Sequence, residues 1–127
     1  MRMADAATTV ETLKDAMRQF VAERDWERFH SPKNLSMGAA IEAAELMEHF
    51  LWVDCDASRA LGQNAEERGA IADEVADVAC YLLALCNVLG LDLSEAILAK
   101  LVKNAVKYPA AQYRGKYRIE VSEGTTQ

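Results

Sequence analysis

The sequence contains few residues that interrupt helices or build disulfide frameworks. Of its 127 residues, two are proline, six are glycine and three are cysteine. A turn-rich β fold uses many prolines and glycines, so their scarcity favours helices. The odd cysteine count and the absence of a Cys-x-x-Cys pair exclude a disulfide framework and a zinc site of the usual spacing. Cys80 and Cys86 lie in an apolar run and are predicted to be core thiols, as expected for a protein of the reducing cytosol.

The chain also lacks a long hydrophobic run and an excess of basic residues. Its longest uncharged run, Val78–Leu91, is shorter than the roughly 20 residues needed to cross a bilayer. Met1–Thr9 has no apolar segment, so we expect no signal peptide and no membrane partner. A formal net charge of −6 argues against binding to a nucleic-acid polymer. An acidic protein that handles an anionic ligand needs a cation between the two.

Hydrophobic residues make up 51% of the chain, which is enough for one small globular domain. Helical periodicity predicts an all-α domain of four helices over residues 1–127, with a helical core at about 8–109 and an irregular tail at 110–127 that ends in disorder. Residues 54–63 are predicted to form a loop with at most a short helical turn. The four helices are expected to begin at the caps Thr8, Ser31, Asn64 and Asp92 and to end near residues 25–30, about Val53, Gly90 and about Val106.

Two pairs of acidic residues carry the strongest chemical signal. The second helix contains Glu42-Ala-Ala-Glu45 and the third contains Glu74-Val-Ala-Asp77. Residues three apart share a helix face, and most of the remaining surface of both helices is apolar. Carboxylates on largely buried helices must be paired or must hold a metal. An all-oxygen ligand set selects a hard cation, so the sequence predicts a site for Mg²⁺ or Mn²⁺.

The two pairs also allow three other interpretations. They could be solvated faces with salt bridges, but few Lys or Arg residues lie nearby in either helix. A di-iron bundle would need Glu-x-x-His motifs, whereas His49 stands four residues after Glu45 and the third helix has no histidine. A non-catalytic helical dimerisation module, with its apolar helices in the interface, is the alternative from a different functional class.

Basic and amide side chains on the fourth helix could hold phosphate groups. Lys100 and Asn104 share one stripe with Lys107, and Lys103 lies beside it. Lysine is a point charge suited to phosphate, although such a stripe is also typical of an ordinary solvated face.

Trp26, His30 and Trp52 are the candidates for contact with a nucleobase. Aromatic rings stack on bases, but a lone tryptophan is more often a core residue. Trp52 is the stronger candidate, since a helix continuing to Val53 would place it on the stripe of Glu42 and Glu45.

These residues resemble the motifs of the MazG-like all-α nucleotide pyrophosphohydrolases, most closely those of the dCTP pyrophosphatase branch. The resemblance covers about residues 9–117, and the ExxE pattern followed by ExxD is its most specific part. The matching segments are residues 23–30 (ERDWERFH), 42–48 (EAAELME) with Trp52, 73–83 (DEVADVACYLL) and 100–109 (KLVKNAVKYP).

The resemblance implies a site, a cofactor and an assembly. Glu42, Glu45, Glu74 and Asp77 would bind Mg²⁺, and the protein would be a dimer or tetramer whose sites a neighbouring subunit completes. Some members of the branch have a histidine near the base where this chain has Met17, so the resemblance leaves the base preference open. The nucleotide site would include Trp26, Trp52, Tyr81, Lys100 and Asn104.

The implied reaction is attack of water on the α-phosphorus of a deoxynucleoside triphosphate, with pyrophosphate leaving. The four carboxylates would form the catalytic centre, with Glu45 as the first candidate for the general base. Lys100 and Lys103 would stabilise the leaving group. The substrate would be dCTP or a modified nucleotide, and the role would be removal of unwanted nucleotides; dUTP and phosphoribosyl-ATP are the alternative substrates.

Overall fold

The computed structural model describes residues 4–118, and this part of the chain consists of helices and turns without a strand. The expected all-α fold is confirmed. Four long helices correspond to the four expected from the sequence, and two short helices and two 3-10 turns (Ala4–Ala6 and Glu27–Phe29) accompany them. The helices are α1 (Val10–Glu23), α2 (Pro32–Glu48), α3 (Cys55–Leu61), α4 (Ala65–Leu89), α5 (Leu93–Lys107) and α6 (Ala110–Tyr113).

Capping residues set the boundaries of α2 and α4 as expected. The Ser31 hydroxyl accepts a hydrogen bond from the Asn34 amide at 3.2 Å, and Pro32 occupies the first helical position. Asn64 accepts from the amides of Glu66 and Glu67 at the start of α4. Gly90 ends α4 with a φ of 66°, a left-handed conformation that glycine adopts without strain.

Two helix ends differ from the prediction. Thr9 rather than Thr8 caps α1, because its hydroxyl accepts the Thr12 amide at 3.1 Å. Helix α2 ends at Glu48 instead of Val53, and residues 49–53 form a turn. Asp54 then accepts the Ala57 amide at 2.8 Å and starts α3, in the segment predicted to be a loop.

The C-terminal segment is more regular than predicted. Ala110–Tyr113 forms one short helix where the sequence suggested an irregular tail. The predicted disorder of the last residues falls on residues 119–127, which lie outside the described residues.

The chain divides into two compact units, Met1–Leu93 and Ser94–Gln127, and the expectation of one domain stays a prediction. In the first unit, α4 is the central helix, with α2 and α1 packed against it. Two hydrogen bonds of 3.0 Å join α1 to the C-terminal end of α4: Asn87 donates to the Lys14 carbonyl, and the Lys14 ammonium donates to the Leu91 carbonyl. In the second unit, the Tyr108 and Tyr113 rings meet edge to face at 5.2 Å.

The apolar core of the described residues is small, and it uses only part of the helix faces that periodicity marks as apolar. Cys86 is buried as expected, whereas Cys80 is half-buried. On α4, periodicity assigns Val75 and Leu89 to a core face opposite Glu74 and Asp77, but they are 50% and 51% exposed. Likewise, Ile41 on α2 is 58% exposed. The buried hydrophobic residues are Val21, Leu35, Leu83, Ala84 and Cys86.

Within residues 4–118, no single helix is both long and apolar enough to cross a membrane, although α4 and α5 taken together as a bent pair meet the length and composition of a span.

Candidate functional site

Packing of α2 against α4 brings acidic side chains of the two helices together. Glu42 and Glu45 from α2 and Glu74 from α4 each offer a carboxylate oxygen, and these oxygens lie within 4.8 Å of one another. We call these three residues the acidic cluster. Residues of the two predicted pairs therefore meet at one point, in an arrangement that could hold a metal ion.

Two oxygens of the acidic cluster are buried without a hydrogen-bond partner. They are Oε2 of Glu42 and Oε2 of Glu74. A buried carboxylate oxygen without a donor is costly, and a cation is the partner that satisfies several such oxygens at once. The residues present therefore fit a hard divalent cation.

The pKa of Glu42 shows how closely the carboxyl groups approach. It is raised from 4.5 to about 7, chiefly by a side-chain hydrogen bond with Glu45 and next by burial of the carboxyl group. The negative charges of Glu45, Asp77 and Glu74 add to this rise. Two carboxyl groups can share a hydrogen bond only if one of them holds a proton, which is why this contact raises the pKa.

Glu74 experiences a similar environment. Burial is the main cause that raises its pKa, followed by the charges of Glu45 and Asp77, whereas the nearby His49 lowers it. Asp77 thus lies close enough to act on both buried carboxyl groups, although it is itself exposed. All four predicted acidic residues therefore belong to one electrostatic neighbourhood.

Within residues 4–93, no Lys or Arg forms a salt bridge with Glu42, Glu45, Glu74 or Asp77. The salt bridges of that part of the chain involve other acids, such as Glu11 and Asp15 with Arg18 on α1 and Asp56 with Arg59 on α3. The alternative that these carboxylates form solvated helix faces with salt bridges to Lys or Arg is therefore not supported in this unit.

A groove of about 540 Å³ is lined mainly by residues of α1 and α4, and Asp77 is one of them. Its surface is mostly apolar and aromatic, with a few polar groups, as is typical of small-molecule sites. Asp77 connects the acidic cluster to this groove. The lining residues are Leu13, Ala16, Met17, Phe20, Val21, Trp26, His30, Asp77, Cys80, Tyr81, Leu83 and Ala84.

Three of the residues proposed for nucleotide contact lie in this groove: Trp26, His30 and Tyr81. Trp26 packs edge to face against Phe20, with ring centroids 5.9 Å apart. Phe20 was not predicted to line a groove, because its helical spacing marks it only as an apolar position of α1. The resemblance had placed Met17 at a position near the base, and Met17 lines the groove.

Trp52 does not line this groove. It is 90% exposed, and it lies in the turn after α2, so the placement on the stripe of Glu42 and Glu45 is wrong. The proposed contact between Trp52 and a nucleotide stays a prediction. Lys100, Lys103 and Asn104 belong to α5, and their proposed contacts with phosphate also stay predictions.

A smaller cavity of about 320 Å³ adjoins the groove and shares Met17, Val21, His30 and Ala84 with it. Asn87 also lines this cavity, and its Oδ1 is buried without a hydrogen-bond partner. Asn87 was not predicted as a site residue. Its amide within the uncharged run Val78–Leu91 could have indicated a buried polar side chain.

Comparison with known proteins gives consistent results. The model of the MazG-like family matches residues 38–117. The dCTP pyrophosphatase 1 of Homo sapiens is 38% identical over 110 residues, which are 87% of this chain and 65% of the relative. That of Bos taurus is 36% identical over 107 residues, 84% of this chain and 63% of the relative. The chain thus spans less than two thirds of the length of these curated relatives.

A solved structure agrees with this result. A pyrophosphatase from Archaeoglobus fulgidus has a TM-score of 0.73 and 40% sequence identity, and the match covers 78% of this chain and 91% of that protein.

Proposed function

The chain belongs to the MazG-like family, and we propose that it is a divalent-metal-dependent nucleoside triphosphate pyrophosphohydrolase. One observation carries the proposal: three carboxylate oxygens converge within 4.8 Å beside a groove lined by aromatic residues. The names of the relatives support dCTP as the first substrate to test. A modified deoxynucleotide is the second candidate, with removal of unwanted nucleotides as the cellular role.

Glu42, Glu45, Glu74 and Asp77 would hold the cation, which we propose is Mg²⁺, with Mn²⁺ as a substitute. When bound, the ion would neutralise phosphate charge and orient the triphosphate. The two buried carboxylate oxygens without partners support this assignment.

The groove would hold the nucleoside part of the substrate. Its volume of about 540 Å³ lies within the range of small-molecule sites, and Trp26 offers a ring face or edge to the base. Tyr81 and His30 supply polar groups beside the apolar side chains of α1. Because Asp77 lines the groove and its charge acts on Glu42 and Glu74, phosphates at the acidic cluster and a base near Trp26 would belong to one bound molecule.

The chemical step would be hydrolysis at the α-phosphorus. Water attacks this phosphorus, the bond to the bridging oxygen breaks, and pyrophosphate leaves. Glu45 is the candidate to accept the proton of the water, because its carboxyl group is the more exposed of the α2 pair. Lys100 and Lys103 would stabilise the leaving pyrophosphate, and Asn104 would contact the nucleotide.

We also propose that the protein works in the cytosol as a dimer or tetramer. Three free cysteines suit a reducing compartment. The exposed apolar side chains of α2 and α4 suit burial against a second copy.

A nucleotide panel tests the function. We expect the purified chain with Mg²⁺ to convert dCTP to dCMP and pyrophosphate, and to act less on dUTP and on phosphoribosyl-ATP. When the reaction runs in water labelled with oxygen-18, the label should appear in dCMP, since attack occurs at the α-phosphorus. Label in pyrophosphate, release of orthophosphate, or no hydrolysis of any nucleotide would contradict the proposal. The last result would favour a non-catalytic module.

A further inference from the structure

Gly38 and Tyr81 face each other where α2 packs against α4. Gly38 lies one helical turn before Glu42, and Tyr81 lies one turn after Asp77. The Tyr81 ring lies directly over the backbone of α2 at Gly38. A Cβ atom at Gly38 would overlap Cε1 of the ring and would lie 2.7 Å from Cζ and 2.8 Å from Cδ1.

Such distances are too short for any side chain at position 38 unless the ring moves. Glycine is a poor residue for the interior of a helix, because alanine stabilises a helix better. At Gly38 the missing side chain leaves a recess in the surface of α2, and the Tyr81 ring fills this recess. Gly69 in α4 provides the contrast, since a Cβ there would meet nothing within 4 Å.

The ring also forms part of the groove. Tyr81 lines the groove together with Asp77, the residue that connects it to the acidic cluster. Because the same ring lies over Gly38 and lines the groove, a shift of the ring away from α2 would change the wall of the groove.

We propose that Gly38 is a positioning residue: by leaving room for the Tyr81 ring in α2, it keeps the nucleotide groove open beside Asp77. Gly38 touches no substrate itself and acts only through Tyr81. The inference rests on the proposed function, because the groove must be the nucleotide site for its width to matter in catalysis.

Two matched substitutions test this inference. Both Gly38→Ala and Gly69→Ala add one methyl group to a helix interior, but only the first meets a neighbour. We expect Gly38→Ala to raise the KM for dCTP by about fivefold or more, the scale of an overpacked site. The kcat and the Mg²⁺ concentration for half-maximal activity should change little, because the carboxylates stay in place. Gly69→Ala should leave KM unchanged.

Thermal stability gives a readout that does not need activity. Gly69→Ala should raise Tm, because alanine replaces glycine in a helix without a clash. Gly38→Ala should not raise it, because the clash opposes the same gain. An equal rise in Tm for both variants would contradict the claim that a side chain at position 38 clashes with the Tyr81 ring.

A double mutant separates the two residues. In a Tyr81→Leu background the ring is absent, so adding Gly38→Ala should cause no further rise in KM. An equal rise in KM with and without the ring would overturn the claim that Gly38 acts through Tyr81. A Gly38→Ala chain that fails to fold would also contradict the inference, because the recess would then serve the α2–α4 interface rather than the groove.

The outcomes for the two proposals are distinct. Absence of nucleotide hydrolysis by the wild-type chain would sink the proposed function. An active wild type whose Gly38→Ala and Gly69→Ala variants share the same KM would sink only this inference.

Discussion

At the scale of single residues, Glu42 and Glu74 are the most unusual side chains of the described chain. Each has a buried carboxylate oxygen without a hydrogen-bond partner. Both also have a raised pKa, to about 7 for Glu42, chiefly through the hydrogen bond with Glu45, and upwards for Glu74, chiefly through burial. A protein keeps such groups where a ligand satisfies them, which makes their chemistry testable one residue at a time.

Isosteric amides test the metal ligands. Glu42→Gln or Asp77→Asn removes a negative charge and keeps the shape, so Mg²⁺-dependent pyrophosphate release should fall at least about 100-fold. Helicity measured by circular dichroism should be retained. Glu11→Gln is the matched control, because Glu11 is an exposed carboxylate on α1 outside the acidic cluster. Turnover near the wild-type rate in Glu42→Gln or in Asp77→Asn would remove that residue from the site.

Protonation of Glu42 predicts how metal affects stability at different pH. Without metal, its pKa of about 7 when folded exceeds the 4.5 expected when unfolded. The stability that this proton provides is fully present below the unfolded value and is lost as pH rises through the folded value. Metal binding needs the carboxylate, so Mg²⁺ should raise Tm more at about pH 8 than at about pH 6.

The measurement compares Tm in Mg²⁺ and in chelator at both values of pH. Glu42→Gln cannot titrate at this position, so its metal-dependent rise in Tm should be small at either pH. If Mg²⁺ raises the Tm of the wild-type protein equally at both values of pH, the claim that Glu42 must lose its proton to bind metal is refuted.

At the scale of helices, α4 shows what a sequence can specify on its own. Asn64 and Gly90 mark its two ends by side-chain capping and by a left-handed φ, and both ends are local effects. The end of α2 was misplaced because residues 49–53 contain no glycine or proline and continue the apolar pattern. The helix instead ends at Glu48. The turn of residues 49–53 then leads to Asp54, which caps α3.

The same contrast applies to the site. The carboxylate pairs were predictable because a spacing of three residues fixes a shared helix face. The groove was not, since Met17 and Phe20 become its walls only when α1 takes its place against α4. Apolar residues on several faces of α4 leave the core face undetermined by periodicity, so Val75 was assigned to a core that the described chain places elsewhere.

The bonds that hold α1 against α4 give a prediction at this scale. Lys14 is 8% exposed, and its ammonium group donates to the Leu91 carbonyl. Lys14→Met keeps most of the aliphatic side chain but leaves that carbonyl without its donor, so the free energy of unfolding should fall by about 1–3 kcal/mol. Arg18→Met removes another cation of α1 whose salt bridges are exposed, and it should cost about 0–1 kcal/mol. Urea unfolding of the two variants compares them, and equal losses would contradict a structural role for the Lys14 bond.

At the scale of the whole molecule, the exposed apolar surface is the main feature. Ile41, Met47 and Leu51 are at least 50% exposed, and so are Val102 and Val106 of α5. Exposed apolar surface of this extent marks a site of protein association. We therefore expect light scattering to report a dimer of about 28 kDa, twice the chain mass of 14.0 kDa, or a tetramer. A monomer at micromolar concentration would refute this.

Trp52 connects the assembly with the site. It is 90% exposed and does not line the groove of its own chain. We therefore expect it to contact the nucleotide bound to another copy. Trp52→Ala should raise the KM for dCTP roughly 5- to 150-fold, which corresponds to stacking of about 1–3 kcal/mol. A lowered Tm with an unchanged KM would show instead that Trp52 only packs in an interface.

Mixed oligomers can decide which copy uses the side chain. Glu42→Gln chains are expected to be inactive but retain Trp52, whereas Trp52→Ala chains retain their carboxylates. If Trp52 acts between copies, mixing and reassembly of the two variants should place an intact Trp52 next to intact carboxylates in part of the sites. Those sites should have a low KM for dCTP. Mixtures that never exceed the activity of the Trp52→Ala chain alone would contradict the exchange.

Addition of Mg²⁺ to metal-free protein in the presence of dCTP tests most directly whether the acidic cluster and the groove form one hydrolytic site. Both products should be quantified in the same sample. We expect no reaction in chelator, equimolar dCMP and pyrophosphate after Mg²⁺ is added, and neither product from the Glu74→Gln variant. Undiminished hydrolysis in chelator, or full activity of Glu74→Gln, would contradict the assignment of the acidic cluster as the catalytic metal site.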